Sequence, residues 1–456
     1  MGTDDFFRAR LETMIDMRHP LAVLATRMPW TQIEASLAPL LAQRDRPGRH
    51  VADVDLFGQT IELAGAGPSA AGRPRLPIRL MVSLLYLKHA YNESDETLVE
   101  RWAENVQWQF FSGMQYYEPR LPCDATQIGR FRRLLGEAGV ELLLKTTIET
   151  AVAIKAVKPD ELQRVVVDST VQEKAIAHPT DSRLLDVARR KVVQLAKRAG
   201  LKLRQTHERE GKTLRRQAGG YAHARQFKRL KRVLRRQRTI LAGVLRDVKG
   251  KLEGLDEQLR VKLQLWIARA QRIHAQRPKD KNKLYALHAE EVECISKGKA
   301  RQPYEFGVKL SVATVLHRGL IVGARTFPGN PYDGHTLAQQ LEQTTTLLQD
   351  LKVQPTVVVT DLGYRGVDKE LAAVELIHRG KSKRLTPLQR RWLKKRQAIE
   401  PAIGHLKADH RANRCWLKGS DGDALHGVLC AAGFNIAWLL RAIAARGIKA
   451  LRAFLL

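Results

Sequence analysis

Cysteine is scarce in this chain: four residues in 456, Cys123, Cys294, Cys415 and Cys430, with no C-x-x-C pair among them. That scatter excludes a zinc ribbon and a disulfide framework, and it suits a reducing cytosol best. Acids are also short, 47 Asp plus Glu against 78 Lys plus Arg, which leaves a formal charge of +31 and a sequence pI near 10.3. A balance so lopsided calls for a polyanionic partner, because the release of condensed counterions drives such binding. Aromatic residues make up only 6%, and nothing among them resembles the aromatic platform of an RNA-binding module. Met1 to Phe7 carries two aspartates and no basic segment followed by an apolar one, so no signal peptide is expected. Long apolar runs are missing as well. The most apolar late stretch, Leu425 to Leu440, contains His426 and Asn435 and is closed by Arg441, which reads as a buried helix too short for a bilayer. Gly211-Lys212-Thr213 lacks the upstream glycine of a phosphate-binding loop, so no ATP-driven step is expected.

What the chain does have is 44% hydrophobic content over a length that suits two or three domains. Residues 1–63 read as an N-terminal arm with a helix over Thr31 to Leu41, and the Gly-, Ala- and Pro-rich stretch Ala64 to Pro77 reads as a linker. From Ile78 to Leu144 the apolar residues recur at helical spacing, as in Ile78, Met81, Leu84, Leu85, then Leu98, Trp102 and Trp108, which makes 75–157 a helical domain. Ser94-Asp95-Glu96 and Asp124 mark helix starts. Short helices joined by tight turns are shared by helix-turn-helix modules and ordinary bundles, so this block is a DNA-binding or dimerisation candidate. An α/β domain is expected over 158–456. Its strands are a run ending at Asp168, then Tyr304 to Thr314 and Leu320 to Phe327 joined by a hairpin turn at Arg318-Gly319, then Val357 to Thr360 and Val374 to His378. Helices are expected over Thr336 to Leu351 and near Val367 to Ala373. The order β-β-β-α-β-α-β-α is that of an RNase H-like fold.

A long helical insertion, 182–284, interrupts that order after the first strand. From Ser182 to Ile240 it holds 20 Lys plus Arg against Asp186, Glu208 and Glu210, a net +17. Charge runs are often only solvated helix faces, but a density this uneven repels itself unless phosphates or another acidic surface lie nearby. Lys228, Arg229, Lys231, Arg232, Arg235 and Arg236 are its candidate DNA contacts.

Three acids sit where a two-metal nuclease places its ligands. Asp168 follows Val165-Val166-Val167, Asp361 follows Val357-Val358-Val359-Thr360, and Glu400 lies in a helical pattern 39 positions further on. Phosphodiester chemistry uses two divalent cations about 3.5 to 4 Å apart, and magnesium prefers hard oxygen ligands. Each acid alone is more simply a cap or turn residue; their joint placement on the elements of one fold is what points to chemistry. Arg396 and Lys407, four positions before Glu400 and seven after it, fall on nearly the same helical face and suit contacts with the scissile phosphate. Asp333-Gly334 reads as a turn, with Asp333 capping the helix that follows. His405 and His410 are five apart, which is not the spacing of a helical zinc pair.

These segments resemble a bacterial insertion-sequence transposase of the DDE class, in the group named for insertion sequence five and related to the insertion-sequence-four superfamily. The resemblance rests on Asp168-Ser169-Thr170-Val171-Gln172-Glu173-Lys174, on Thr360-Asp361-Leu362-Gly363-Tyr364-Arg365-Gly366, and on the Tyr-x2-Arg-x3-Glu-x6-Lys signature met by Arg396, Glu400 and Lys407. Leu393 stands where that signature has tyrosine. Asn92-Glu93-Ser94-Asp95-Glu96, Tyr304-Glu305-Phe306-Gly307 and Gly329-Asn330-Pro331-Tyr332-Asp333-Gly334-His335 extend the likeness over most of 75–440. It implies Asp168, Asp361 and Glu400 as catalytic and metal-binding residues, with two Mg2+ ions per site for which Mn2+ can substitute. It further implies terminal inverted repeats and target DNA as partners, cut-and-paste strand cleavage and transfer, a homodimer or higher oligomer on paired ends, no membrane, and a cytoplasmic, nucleoid-associated location. A catalytically silent DNA-binding derivative and a nuclease of the same fold are the alternatives.

Overall fold

The computed structural model describes residues 9–41, 53–54, 60–61, 76–296, 303–366 and 374–455. The helix expected near Val367 to Ala373 and nearly all of the linker expected over Ala64 to Pro77 lie outside the described residues. The N-terminal region is helical: α1 (Leu11–Met14), α2 (Pro20–Arg27), α3 (Trp30–Leu41), α4 (Ile78–Ala90), α5 (Asp95–Glu104), α6 (Val106–Phe111) and α7 (Ala125–Ala153). Their starts follow side-chain chemistry. Ser94 accepts the Thr97 N–H while Thr97 returns a bond to the Ser94 backbone, and Asp124 accepts from Thr126, each satisfying a helix-end donor.

A mixed sheet follows, in chain order β1 (Arg164–Lys174), β2 (Glu293–Ser296), β3 (Tyr304–Val315), β4 (Ile321–Phe327), β5 (Val357–Val359), β6 (Glu375–Ile377) and β7 (Arg414–Cys415). Between β1 and β2 run α8 (Asp181–Arg198), α9 (Glu208–His223), α10 (Phe227–Lys249) and α11 (Glu257–Ala275). α12 (Asp333–Leu348) follows β4, α13 (Pro387–Lys395) and α14 (Ile399–Ala408) follow β6, and α15 (Gly419–Leu455) closes the chain. Strand β1 lies antiparallel to β3, which is antiparallel to β4, while β5 is parallel to β1 and β6 parallel to β5. The order β4-β3-β1-β5-β6 is consistent with the RNase H-like fold. Strand β2 was not legible in the sequence; it extends the sheet by pairing with Tyr304 to Gly307, ahead of the part of β3 that β4 uses.

Two expectations need correction. Asp168 does not end its strand: β1 continues to Lys174, because Ser169 to Glu173 keep pairing with β3. The late apolar stretch is not short either. It sits in α15, of which Gly419–Gly447 is long and apolar enough to cross a membrane. Burial explains it here, since Val428, Leu429, Ile436 and Leu439 are at most 2% exposed and the helix packs against α4, α7 and β4.

Helix α4 is buried without a break from Leu80 to His89, so it is the centre of the N-terminal region rather than an amphipathic surface helix. It meets α15 at Gly433, where a Cβ would stand 2.3 Å from that of His89; only glycine permits this approach. Asn435 ties three elements together. Its side chain accepts the Ile321 N–H (3.0 Å) and donates to the Ile321 carbonyl (2.8 Å) and the Thr147 hydroxyl (2.9 Å). The helices between β1 and β2 enclose their own core, with Leu185, Val192, Leu241, Val244, Leu263 and Ile267 at its centre.

Replacing Asn435 with Leu orphans buried polar partners on two elements and should lower stability by about 2 to 5 kcal/mol, measured as a shift in urea midpoint at constant slope. Buried His89 and His426 face each other across the α4–α15 contact, ring centroids 5.8 Å apart. Burial first, and the charges of Lys88, Arg132 and Arg411 after it, push His426 down to about 3 and hold His89 well below its ordinary value. The unfolded chain takes up these protons near pH 6.5 and the folded one resists, so stability should fall as pH drops below about 6.5 toward 3. Between pH 6.5 and about 4.5, above the usual carboxylate range, a His426→Gln variant should show a flatter decline of the urea midpoint than the parent.

Candidate active site

Strand β1 has one edge divided between two parallel partners. Arg164 to Val166 pair with β5, and Glu173 and Lys174 pair with β7. Asp168 lies in the interval between them, on the β1 face of Val166, which packs with Val359, Ile377, Leu385 and Ile399. Val166 is opposite Val359, so Asp168 and Asp361 each stand two residues beyond that pair. Strand β5 stops at Val359, and Asp361 opens a tight turn over Leu362–Tyr364, where its Oδ1 accepts the Gly363 N–H at 2.8 Å. The Asp168 carboxylate accepts the Ser169 N–H, also at 2.8 Å.

Glu400 arrives on the first turn of α14, which packs against β1. Its link to Asp168 runs through Arg396, which sits in a 3-10 turn just before α14. The guanidinium stands 3.5 Å from Asp168 and 3.6 Å from Glu400, with the arginine side chain only 12% exposed and Glu400 65% exposed. Leu393, in the position the signature gives to tyrosine, packs with Trp392 against the Val166 and Ile399 cluster, so it serves the core. Lys407 is half-buried near the end of α14.

Asp333 was read from the sequence as a turn and capping residue. The structure places it instead as the first residue of α12, after Tyr332, with no side-chain cap there. Its Oδ1 accepts from the Ser169 hydroxyl at 2.9 Å and from the Lys309 ammonium at 2.8 Å. No spacing rule could have found this, because Ser169, Lys309 and Asp333 lie on three separate elements. Tyr364, fully buried, is a second such residue: it belongs to the Asp361 motif, but the motif alone assigns it no role. Burial and then the charges of Asp333, Asp168 and Asp361 hold its phenol well above the ordinary range, so it stays protonated among three carboxylates.

The donor set suits a hard divalent cation, because it is all carboxylate oxygen, and Asp168 and Asp361 both lie close enough to Tyr364 for their charges to act on its phenol. The third acid is separated from Asp168 by the Arg396 guanidinium. As the side chains stand, no three His, Cys, Asp or Glu among the described residues converge on a metal position. A three-carboxylate cage therefore requires Arg396 to yield.

Basic residues cover α10. Lys228, Arg229, Lys231, Arg232, Arg235 and Arg236 are all exposed and fall on one face, opposite Val233, Gln237, Leu241 and Val244. Arg236 is held by Glu210 at 2.6 Å, and Arg229 by Gln226 at 3.1 Å.

Two family models match the chain: one described as Transposase domain (DUF772) over residues 51–134, the other as Transposase DDE domain over residues 269–436. The second span holds Asp361 and Glu400; Asp168 and most of the α8–α11 segment lie outside both. An uncharacterized protein, ORF8 in the nfe locus of Rhizobium meliloti, is 40% identical over 226 residues, which is 50% of this chain and 96% of that protein. No solved structure matches. The chain belongs to the DDE transposases of insertion sequences. Proteins of this family act on DNA and generally use divalent metal ions.

Proposed function

We propose that this transposase binds the terminal inverted repeats of its element, cleaves DNA at the element ends and joins the liberated 3′-hydroxyls to target DNA in cut-and-paste transposition. One feature carries the reading: Asp168 and Asp361 each stand two residues beyond the paired Val166 and Val359 of parallel strands, and Arg396 spans from Asp168 to Glu400. Asp168, Asp361 and Glu400 would hold two Mg2+ ions, or Mn2+ in their place, which activate the attacking oxygen and stabilise the leaving one. The chain's own residues do the rest. Arg396 offsets the repulsion between Asp168 and Glu400 in the free protein, and once displaced its guanidinium can grip a phosphate beside the reacting one. Lys407 binds the flanking backbone.

In this reading 1–63 is an arm, 75–157 a helical DNA-binding or dimerisation domain, and 158–456 an RNase H-like catalytic domain carrying 182–284 as a basic insertion. The α10 face supplies sequence-independent grip on the phosphates of the ends. The protein works in the cytoplasm, on the nucleoid, as a homodimer or larger assembly on paired ends.

The test is incubation of the purified protein with a labelled duplex carrying its element's terminal repeat and a supercoiled plasmid, in magnesium or EDTA. Magnesium-dependent nicking at the end together with joined product is the expected result. Cleavage without joining would make it a nuclease, and specific binding without cleavage a silent derivative. Asp168→Ala, Asp361→Ala and Glu400→Ala should each abolish cleavage and leave end binding intact; retained cleavage removes that residue from the site. Changing Lys228, Arg229, Lys231 and Arg232 together to Gln should reduce the log–log salt slope of binding by about 3 to 4. An unchanged slope would turn that face toward protein or solvent instead.

A further inference from the structure

Two backbone N–H groups hold the neighbouring carboxylates: that of Ser169 binds Asp168 and that of Gly363 binds Asp361, both at 2.8 Å. Asp333 touches the residues that supply both. Its Oδ1 takes the Ser169 hydroxyl at 2.9 Å. Its Oδ2 lies 3.1 Å from the point where a Cβ on Gly363 would stand, and Asp361 Oδ1 lies 3.0 Å from that same point. The Asp333 and Asp361 carboxylates are thus no more than about 6 Å apart, both against the side of Gly363 that a side chain would fill. A third negative group so close would repel the other two. Lys309 answers this: its side chain is 9% exposed, its ammonium lies 2.8 Å from Asp333 Oδ1, and it also donates to the Pro331 carbonyl.

We propose that Asp333 is a positioning residue of the metal centre, which with Lys309 fixes the separation of Asp168 and Asp361 through Ser169 and Gly363. This rests on the reading of Asp168 and Asp361 as metal ligands. Ser169 and Asp168 point to opposite faces of β1, since side chains alternate along a strand. Asp333 therefore approaches from the α12 side and acts behind the ligands rather than among them. Groups that orient ligands from behind typically change metal affinity by about ten- to a hundredfold when removed.

The experiment is Mn2+ titration of the full-length, DNA-free protein, followed by the electron paramagnetic resonance signal of free Mn2+, alongside thermal melting. Asp333→Asn keeps the shape and loses the charge. Ser169→Ala leaves the Lys309 pair whole, so its fold does not depend on an uncompensated lysine. Asp333→Asn/Lys309→Met removes both charges and covers the case in which the single variant misfolds. The expected result is Mn2+ affinity reduced about tenfold or more in the Asp333 variants and by a smaller factor in Ser169→Ala. The melting temperature of Ser169→Ala should stay close to that of the parent. Rescue of Mn2+ affinity by Asp333→Glu, to within a few-fold of the parent, is expected only of a role that uses the carboxylate. Parental affinity in Ser169→Ala and in the folded Asp333 variants, with Asp361→Asn losing Mn2+, would overturn the proposal and leave the centre standing. Parental affinity in Asp361→Asn and Asp168→Asn as well would instead overturn the metal centre on which the proposal rests.

Discussion

Strand β1 cannot satisfy one neighbour along the whole of its second edge, and everything at the site follows from that. β5 holds it over three residues and β7 over two. Between these contacts the sheet opens, as parallel sheets do beyond the carboxyl ends of their strands. A longer β5 would carry Asp361 on in the ladder. Because β5 stops at Val359, the chain is free to turn at Asp361, and the turn places Gly363 against two carboxylates and Tyr364 in the core. The apolar group of Val166, Val359, Ile377 and Ile399 then sets how closely α14 can approach. Burial of a few aliphatic side chains thereby positions Glu400, whose own carboxylate remains mostly in solvent.

Scarcity of acid shapes the rest of the electrostatics. Where acids are buried or half-buried they serve several cations at once. Asp186, 4% exposed, meets Arg189, Arg190 and Arg215, and Asp95 meets Lys88 and Arg132; at Lys174 the sharing is reversed, one buried ammonium serving both Asp423 and Glu291. Burying such charges is tolerable only with close partners. With the acids committed to these internal duties, the excess of positive charge is carried outward on faces such as that of α10. Net charge on the surface of a chain is what draws a polyanion, whereas charge balanced inside decides only the fold.

Much of this was legible in the sequence where a periodic pattern or a short-range rule applied. The strands of the hairpin turning at Gly319, the caps at Ser94 and Asp124, and the helical segment after β1 all fall near their expected places. Asp168 and Asp361 could be singled out because both follow β-branched runs. Long-range facts were not legible. Strand β2 is four residues without alternation, Asp333 looks like any acid before a helix, and the role of Gly363 depends on a carboxylate thirty residues before it. Position within β1 was misread for a related reason. The polar residues after Val167 look like a strand's end, yet they continue it, because their partners on β3 are supplied from far along the chain.

The α8–α11 segment leaves the sheet just after β1 and returns just before β2, so its orientation depends on how those two crossings are held. Lys174, the last residue of β1, lies 2.8 Å from Glu291 on the returning chain and 2.8 Å from Asp423 at the start of α15. Its side chain is 5% exposed, so this junction is shielded from the salt that weakens surface pairs. Gly419 adds its N–H to Glu291 at 2.9 Å. Outgoing strand, returning chain and final helix thus meet at one buried ammonium, six residues along the same strand from Asp168. Breaking that pair by removing one partner would strand a buried charge, which costs far more than a surface contact. The basic face of α10 is carried by a segment clamped at its base to the strand that presents the first carboxylate, and the reach from one to the other is set by the fold rather than left to a flexible tether.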